Sequence, residues 1–378
     1  MTKKLTLPLA TSLMMFPQVA ETIYSPALPG ISRAFSVTAE QAAQTLSLYF
    51  LAFALGVVVW GRLCDRLGRR PTMLAGLSVY AAASLMALLS PDFGILLAAR
   101  ILAAFGAAVG SIGTQTMLRD SYHGAELASA FAVIGVALGV GPAIGIGSGV
   151  ILVTHFGHQG VFAGLAVLAM ALLLWSSLTL PESRPDSAAI APLWPTLCTM
   201  ARDRGIWRDA LLIALFNLCL FSYYQLAPFE FERLGWSTTL FGYSGLVLSV
   251  AVVLGSQLSR RLLGRGWHSH RLVLLAAVLA LLGSVGVAAM ASQRGFLLPM
   301  LLVVLAYALA IPNILATALA AYQDRAGTAG ALLGLLYYLQ LGLGLVAAAR
   351  LQHLGLVLLC SAAGALLLAT LKARRAAM

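Results

Sequence analysis

Stretches of about 20 residues with almost no charge recur along the whole chain, and residues 272–282 (LVLLAAVLALL) are continuously apolar. A bilayer core about 30 Å thick needs roughly 20 apolar residues of α-helix to cross it. That window places twelve spans at approximately 6–28, 41–61, 72–90, 93–117, 127–150, 160–180, 209–229, 238–259, 271–291, 296–318, 327–346 and 352–371. A membrane β-barrel is excluded, because its strands alternate polar and apolar residues at period two. Composition agrees: hydrophobic residues make up 60% of the 378 residues and charged residues 10%, against about 25% charged in a soluble domain. So much apolar surface has no place in a chain of this size unless lipid covers it. Soluble enzymes, disulfide scaffolds, disordered proteins and coiled coils are thereby excluded, and the expected class is an all-α integral membrane protein. Cys64, Cys198, Cys219 and Cys360 are far apart and form no CxxC pair, so neither a disulfide nor a metal site is implied.

The net charge of +11 does not mark a nucleic-acid binder, since the basic residues sit in short loops between apolar runs and not on one solvated face. With a cytoplasmic start and twelve spans, Arg33, Arg233, Arg294 and Arg350 fall outside and Arg100 falls within the membrane. The other Lys and Arg residues, among them Lys3, Lys4, Arg62, Arg119, Arg184, Arg325 and Lys372, fall inside. This is the positive-inside pattern, and it predicts that both termini are cytoplasmic. Lys3 and Lys4 before an apolar stretch also resemble a signal peptide. The stretch runs on to about Leu28 and many like it follow, so a retained first span is expected.

The longest polar connection, 181–209, carries PESRPDS and RDRGIWRD. It predicts an N-terminal six-helix bundle at 1–180, a cytoplasmic linker at 181–208 and a C-terminal six-helix bundle at 209–378. Repeated halves of this kind are expected in transporters. A degenerate echo fits: GRLCDRLGRR at 61–70 follows span two, and GSQLSRRLLGR at 255–265 follows span eight.

The loop Gly61-Arg-Leu-Cys-Asp65-Arg66-Leu-Gly68-Arg69-Arg70-Pro71 is the most specific signal. Gly61 and Gly68 permit a tight turn between helices, Asp65 suits pairing with arginines or facing a helix N-terminus, and Pro71 suits the first turn of the next helix. Such a loop latches two cytoplasmic helix ends together in one state and releases them in another; a plain positive-inside loop would need the arginines alone. Here the sequence resembles the major facilitator superfamily, whose signature loop between helices two and three has this pattern. Within it the chain is similar to the bicyclomycin-resistance (Bcr/CflA) branch of twelve-span drug/proton antiporters. YSPALP at 24–29 matches that branch's first helix, Arg100 its fourth-helix arginine, Arg119-Asp120 its inner-loop RD, Pro228-Phe229 its seventh helix and AGTAGALLG at 326–334 its eleventh. The resemblance implies two pseudo-symmetric six-helix bundles with alternating access and no enzymatic activity.

In span five, Gly141-Pro142-Ala-Ile-Gly145-Ile-Gly147-Ser-Gly149 lets helices approach closely, and Pro142 favours a bend. Ordinary small-residue packing would serve as well; in the resembled family a GPxxGG element here accompanies antiport, although Ile146 replaces the second glycine of the pair. Glu21 lies mid-span in helix one, on a face with Met14, Gln18 and Ser25. An ionised carboxylate is costly there, which suits Glu21 to taking up and releasing a proton. A structural pair, or a place near the outer interface, is the alternative, and the branch often has an acid one position later, where this chain has Thr22. Arg100, with Ala104, Ala107, Ser111 and Thr114 on its face, cannot lose its proton and must find a carboxylate, carbonyl, water or substrate. The resemblance implies a proton-coupling role for it, although Ala103 replaces a glutamine common in the family.

Aromatic and amide residues at Tyr49, Asn217, Phe221, Tyr224, Asn313, Thr317, Tyr337 and Gln340 are candidates for a substrate cavity suited to bulky amphipathic ligands. Each taken alone also fits helix packing or a lipid-facing position. His155, His158 and His353 are expected in outer loops. No phosphate-binding loop, catalytic triad or metal-ligand cluster is present, so no cofactor is expected beyond protons as the coupling ion. The expectation is therefore a monomeric, proton-coupled exporter of the bacterial inner membrane, its partners a small molecule and the lipid bilayer. A dedicated exporter of an endogenous metabolite, such as a siderophore or amino-acid derivative, is the alternative.

Overall fold

A computed structural model describes residues 5–184, 193–290 and 293–376. Lys3 and Lys4, part of the expected linker (185–192) and the side chains of Arg294, Arg374 and Arg375 lie outside the described residues. The chain divides into two compact units, Met1–Leu193 and Trp194–Met378. In the first unit the helices are α1 (Leu7–Thr22), α2 (Leu28–Ala34), α3 (Ala39–Leu67), α4 (Arg69–Leu88), α5 (Phe93–Ser121) and α6 (Gly124–Thr179). After the short α7 (Leu193–Arg202) the second unit holds α8 (Arg204–Arg233), α9 (Thr238–Gly264), α10 (Ser269–Ala289), α11 (Leu297–Ala318), α12 (Ala326–Leu351) and α13 (Leu354–Ala376).

Ten of these helices are long and apolar enough to cross a membrane. Two regions depart from simple rods, each for a local reason. The first, expected at 6–28, is broken: α1 ends at Thr22, a 3₁₀ turn covers Ser25–Ala27, and α2 follows. Pro26 and Pro29 cannot donate backbone hydrogen bonds to a continuing helix. Spans five and six are merged in α6, whose 56 residues are about 84 Å of helix, enough for two crossings. The break falls at Gly157, where φ is +66° and ψ −163°. Gly157 is the residue in α6 with non-helical backbone angles and marks the turn between the two crossings, while Pro142 lies inside the first of them. With α6 counted as two crossings and the broken first span as one, the described residues hold twelve crossings, six in each unit.

Local signals set the helix starts. Thr38 and Gln41 form a reciprocal capping box at α3, Asp92 caps α5 through Ile95 N–H at 2.9 Å, and Asp203 caps α8 through Gly205 N–H at 2.7 Å. Because α8 starts at Arg204, the helix begins inside the stretch 181–208 expected as linker.

The two units repeat one packing scheme. In the first, α5 packs on α1, α3 and α4, and α6 on α1 and α4; in the second, α11 packs on α8, α9 and α10, α12 on α8, and α13 on α8 and α10. The register of the repeat is fixed by two glycines. A Cβ on Gly56 would stand 2.7 Å from both Ala108 Cβ and the Phe105 carbonyl, and a Cβ on Gly255 would stand 2.9 Å from Ala308 Cβ and 2.6 Å from the Leu305 carbonyl. The structural equivalent of Gly255 is therefore Gly56, not the Gly61 with which the sequence echo aligns it.

Candidate functional site

At membrane depth in the first unit, Arg100 of α5 is 1% exposed. Its guanidinium carbon sits 4.0 Å from the ring centroid of Tyr24 and 4.7 Å from that of Tyr49. Tyr24 lies just beyond the end of α1, and its hydroxyl donates to Thr45 Oγ1 at 3.0 Å. Rings of this kind stabilise a desolvated guanidinium by about 2 kcal/mol. Glu21 is buried and acts electrostatically on both Arg100 and Tyr49, yet among the described residues no direct ion pair joins Glu21 to Arg100. Nε and Nη2 of Arg100 and the Tyr49 hydroxyl are buried with no hydrogen-bond partner, and the Tyr80 hydroxyl is buried beside Ser84. Tyr49, a candidate for the substrate wall, thus belongs with Arg100. Tyr80 joins them although nothing in its sequence surroundings singles it out.

The face of α1 expected to carry Met14, Gln18, Glu21 and Ser25 divides. Gln18 and Thr22 turn to α6: a Cβ on Gly141 would stand 2.7 Å from Gln18 Oε1, and one on Gly145 would overlap the Thr22 side chain. Gly141 and Gly145 are therefore close-approach glycines, and Gly149 likewise abuts the backbone of Ile23. Glu21 is left on the side of Arg100.

At the other end of the same helices, the signature loop closes on itself. Gly68 has φ +106° and starts α4. Arg69 is 4% exposed; its Nε donates to Asp120 Oδ2 at 2.7 Å, its Nη1 donates to the Cys64 carbonyl at 3.0 Å and lies 3.7 Å from Asp65 Oδ1. Asp65 therefore pairs with an arginine, and the carboxylate at the N-terminus of α4 is Glu182. Its oxygens accept from the backbone N–H of Arg69 at 2.9 Å and of Arg70 at 3.1 Å, and from those of Ser183 and Arg184. Partial burial works to raise the Glu182 pKa, and these four N–H donors outweigh it, so the carboxyl lies below its usual range. Arg184 Nη1 donates to the Arg66 carbonyl at 2.7 Å, while the Arg66 side chain is exposed. Gly61 is half-buried near the end of α3. Glu182 lies 113 residues from Arg69, and no spacing rule connects them.

The remaining candidates lie in the second unit, on α8, α11 and α12. Asn217 donates to the Ile213 carbonyl of its own helix at 2.8 Å, and Phe221 and Tyr224 meet edge to face at 5.7 Å. Asn313 donates to Ser259 Oγ and to the Leu309 carbonyl, both at 2.8 Å, which ties α11 to α9. Thr317 accepts from Lys372 Nζ at 3.2 Å, and Lys372 also pairs with Asp209 at 3.1 Å. Tyr337 lies against Tyr338 with ring centroids 4.2 Å apart, and Gln340 Oε1 is buried without a partner. Of the histidines expected in outer loops, His155 and His158 flank the Gly157 break, and His158 rests against Phe35 and Phe162. His353 lies between α12 and α13, where its Nδ1 accepts from Leu356 N–H. Among the described residues no group of His, Cys, Asp and Glu is placed to hold a metal ion.

Two repeated helical units, with many large apolar side chains on their exposed faces, define a multi-pass membrane protein. The chain belongs to the Major Facilitator Superfamily, whose family profile matches residues 11–345. An uncharacterized transporter of Rickettsia bellii (strain RML369-C) is 32% identical over 336 residues, 85% of this chain and 83% of that protein. A chloramphenicol resistance protein of Pseudomonas aeruginosa is 28% identical over 333 residues, 84% of this chain and 78% of its own. Among solved structures, a D-xylose-proton symporter superposes with a TM-score of 0.76 at 16% identity, covering 96% of this chain and 95% of that one, which shows the shared fold. The chain is accordingly a transporter and not an enzyme, and it resembles the drug-resistance members of the family.

Proposed function

We propose that this protein exports amphipathic small molecules across the bacterial inner membrane, with both termini cytoplasmic, in exchange for protons. The observation that carries the reading is Glu21 beside Arg100: a buried carboxylate held near a cation but not locked to it is free to change protonation as access alternates. The likeness to a chloramphenicol resistance protein supports export as the direction. Protons are the coupling ion, and coupling requires that protonation favour one conformation or weaken cargo binding. The Asp65, Arg69, Asp120 and Glu182 cluster serves as the cytoplasmic latch, tying α3, α4, α5 and the end of α6 in one state. Export of a single endogenous metabolite, such as a siderophore or amino-acid derivative, is a second reading, favoured by a deep cation that lacks a carboxylate partner.

The test is proton movement triggered by added compounds in proteoliposomes under an imposed pH gradient, with a panel of drugs and metallophores. The wild type is expected to move protons with at least one compound, and Glu21→Gln to lose that response while staying folded. Persistence of coupling in Glu21→Gln would place the proton site elsewhere. Silence of the wild type with every compound would remove the drug-export reading.

A further inference from the structure

The orphaned edge of Arg100 has a specific shape. Nε–H and one Nη2–H point in parallel from the same side of the planar guanidinium, the fork that receives the two oxygens of a carboxylate. Both donors are buried with no partner, and the guanidinium plane is taken up by the rings of Tyr24 and Tyr49. The Tyr49 hydroxyl is buried and unpartnered as well, and the buried Tyr80 hydroxyl has Ser84 beside it. Leaving two charged donors and a hydroxyl unmet in one cluster costs several kcal/mol in total, so the cluster is built to be completed by something with acceptor oxygens. Glu21 is near enough to interact electrostatically and makes no ion pair with the fork.

We infer that Arg100 is the anion-binding residue of the transport site: it receives a carboxylate, or a comparable oxyanion, of the cargo through Nε and Nη2, with the Tyr49 and Tyr80 hydroxyls as further donors. This rests on the export reading and narrows it to acidic or zwitterionic amphipathic compounds. Aromatic neighbours favour a cargo whose acid group is attached to a flat apolar body. An ordered water in the cluster is the competing occupant, and it would not discriminate between an acid and its amide.

The probes are 1-naphthoate and its primary amide, 1-naphthamide, titrated against the purified full-length protein while thermal unfolding is followed. Naphthoate is expected to raise Tm saturably and naphthamide to bind roughly 10- to 100-fold more weakly, the range of a charge-assisted fork. Arg100→Met is expected to abolish the difference, and Arg100→Lys to restore only part of it, because an ammonium keeps the charge without the fork. Tyr49→Phe and Tyr80→Phe remove one hydroxyl each and leave the rings, so they test the cluster should Arg100→Met fail to fold; each is expected to weaken naphthoate several-fold. Equal stabilisation by acid and amide, no saturable effect of naphthoate on the wild type, or naphthoate binding unchanged in both tyrosine variants would overturn the inference. The proteoliposome assay separates the two readings. Export with no preference for acids removes the anion site and leaves export standing, whereas Arg100-dependent naphthoate binding without transport of any compound removes export and leaves the site.

Discussion

Arg69, at the start of α4, donates from Nε to Oδ2 of Asp120, near the end of α5, at 2.7 Å, and both side chains are largely out of water. The same guanidinium serves Asp65 and the Cys64 carbonyl, so one cation holds three acceptors on α3 and α5. Removing one member of a buried pair leaves the other charge uncompensated, at a cost of about 3 to 5 kcal/mol. Arg69→Ala is expected to lower thermal stability by that order. Arg69→Lys should recover less than half, having no planar fork, and unfolding of the detergent-solubilised variants reads both.

Glu182 gives the cluster a pH dependence of defined sign. Its folded pKa lies below the usual 4.5 despite the opposing effect of burial, because four backbone N–H groups donate to the charged form. Its stabilising contribution is fully present above about pH 4.5 and is lost as pH falls through the lowered folded value. Tm of the wild type should therefore fall on the acid side more steeply than Tm of Glu182→Gln. At neutral pH the glutamine variant should be the less stable; parallel Tm profiles would show that Glu182 is not the cap of α4.

The glycines of α6 are not equivalent. A Cβ on Gly145 overlaps Thr22, whereas one on Gly147 meets nothing within 4 Å. Gly145→Ala is expected to destabilise by about 1 to 3 kcal/mol through overpacking, and Thr22→Ala introduced with it should recover part of the loss. Gly147→Ala should be neutral or stabilising by up to about 1 kcal/mol, since alanine favours helix. Equal effects at the two positions in a thermal assay would contradict the α1 to α6 contact.

Gly56 and Gly255 make the same contact in different units. Leucine at either position must push α3 from α5 or α9 from α11, and the two substitutions should cost similar amounts in protease resistance and Tm. Leucine at Gly61, which is half-buried, should cost less than either.

The sequence exposed the class of fold because lipid imposes a length and an apolarity on every crossing, and both are local properties of a segment such as 272–282. It also exposed the signature loop and the glycines at 141, 145 and 149, since tight turns and close helix approach require particular residues at fixed spacing. Glu21 and Arg100 stood out because charges are rare at those depths. Their surroundings were less legible. Tyr24 meets Arg100 from the end of the first span, and Tyr80 arrives from a different helix. That Asn313 also ties α9 to α11 through Ser259 was not legible in the sequence.

Taken alone, the sequence determined the bilayer as solvent, the number of crossings and the residues for which charge or the absence of a side chain is unavoidable. Tertiary structure alone decided the partners: Glu182 for the start of α4, Asp120 for Arg69, two tyrosine rings for Arg100, and Gly56 as the true equivalent of Gly255. The physical reason is range. Hydropathy, turn and capping preferences act within a few residues, whereas ion pairs, ring contacts and helix approach join side chains tens to a hundred residues apart, which only the packed bundle brings within a few ångströms.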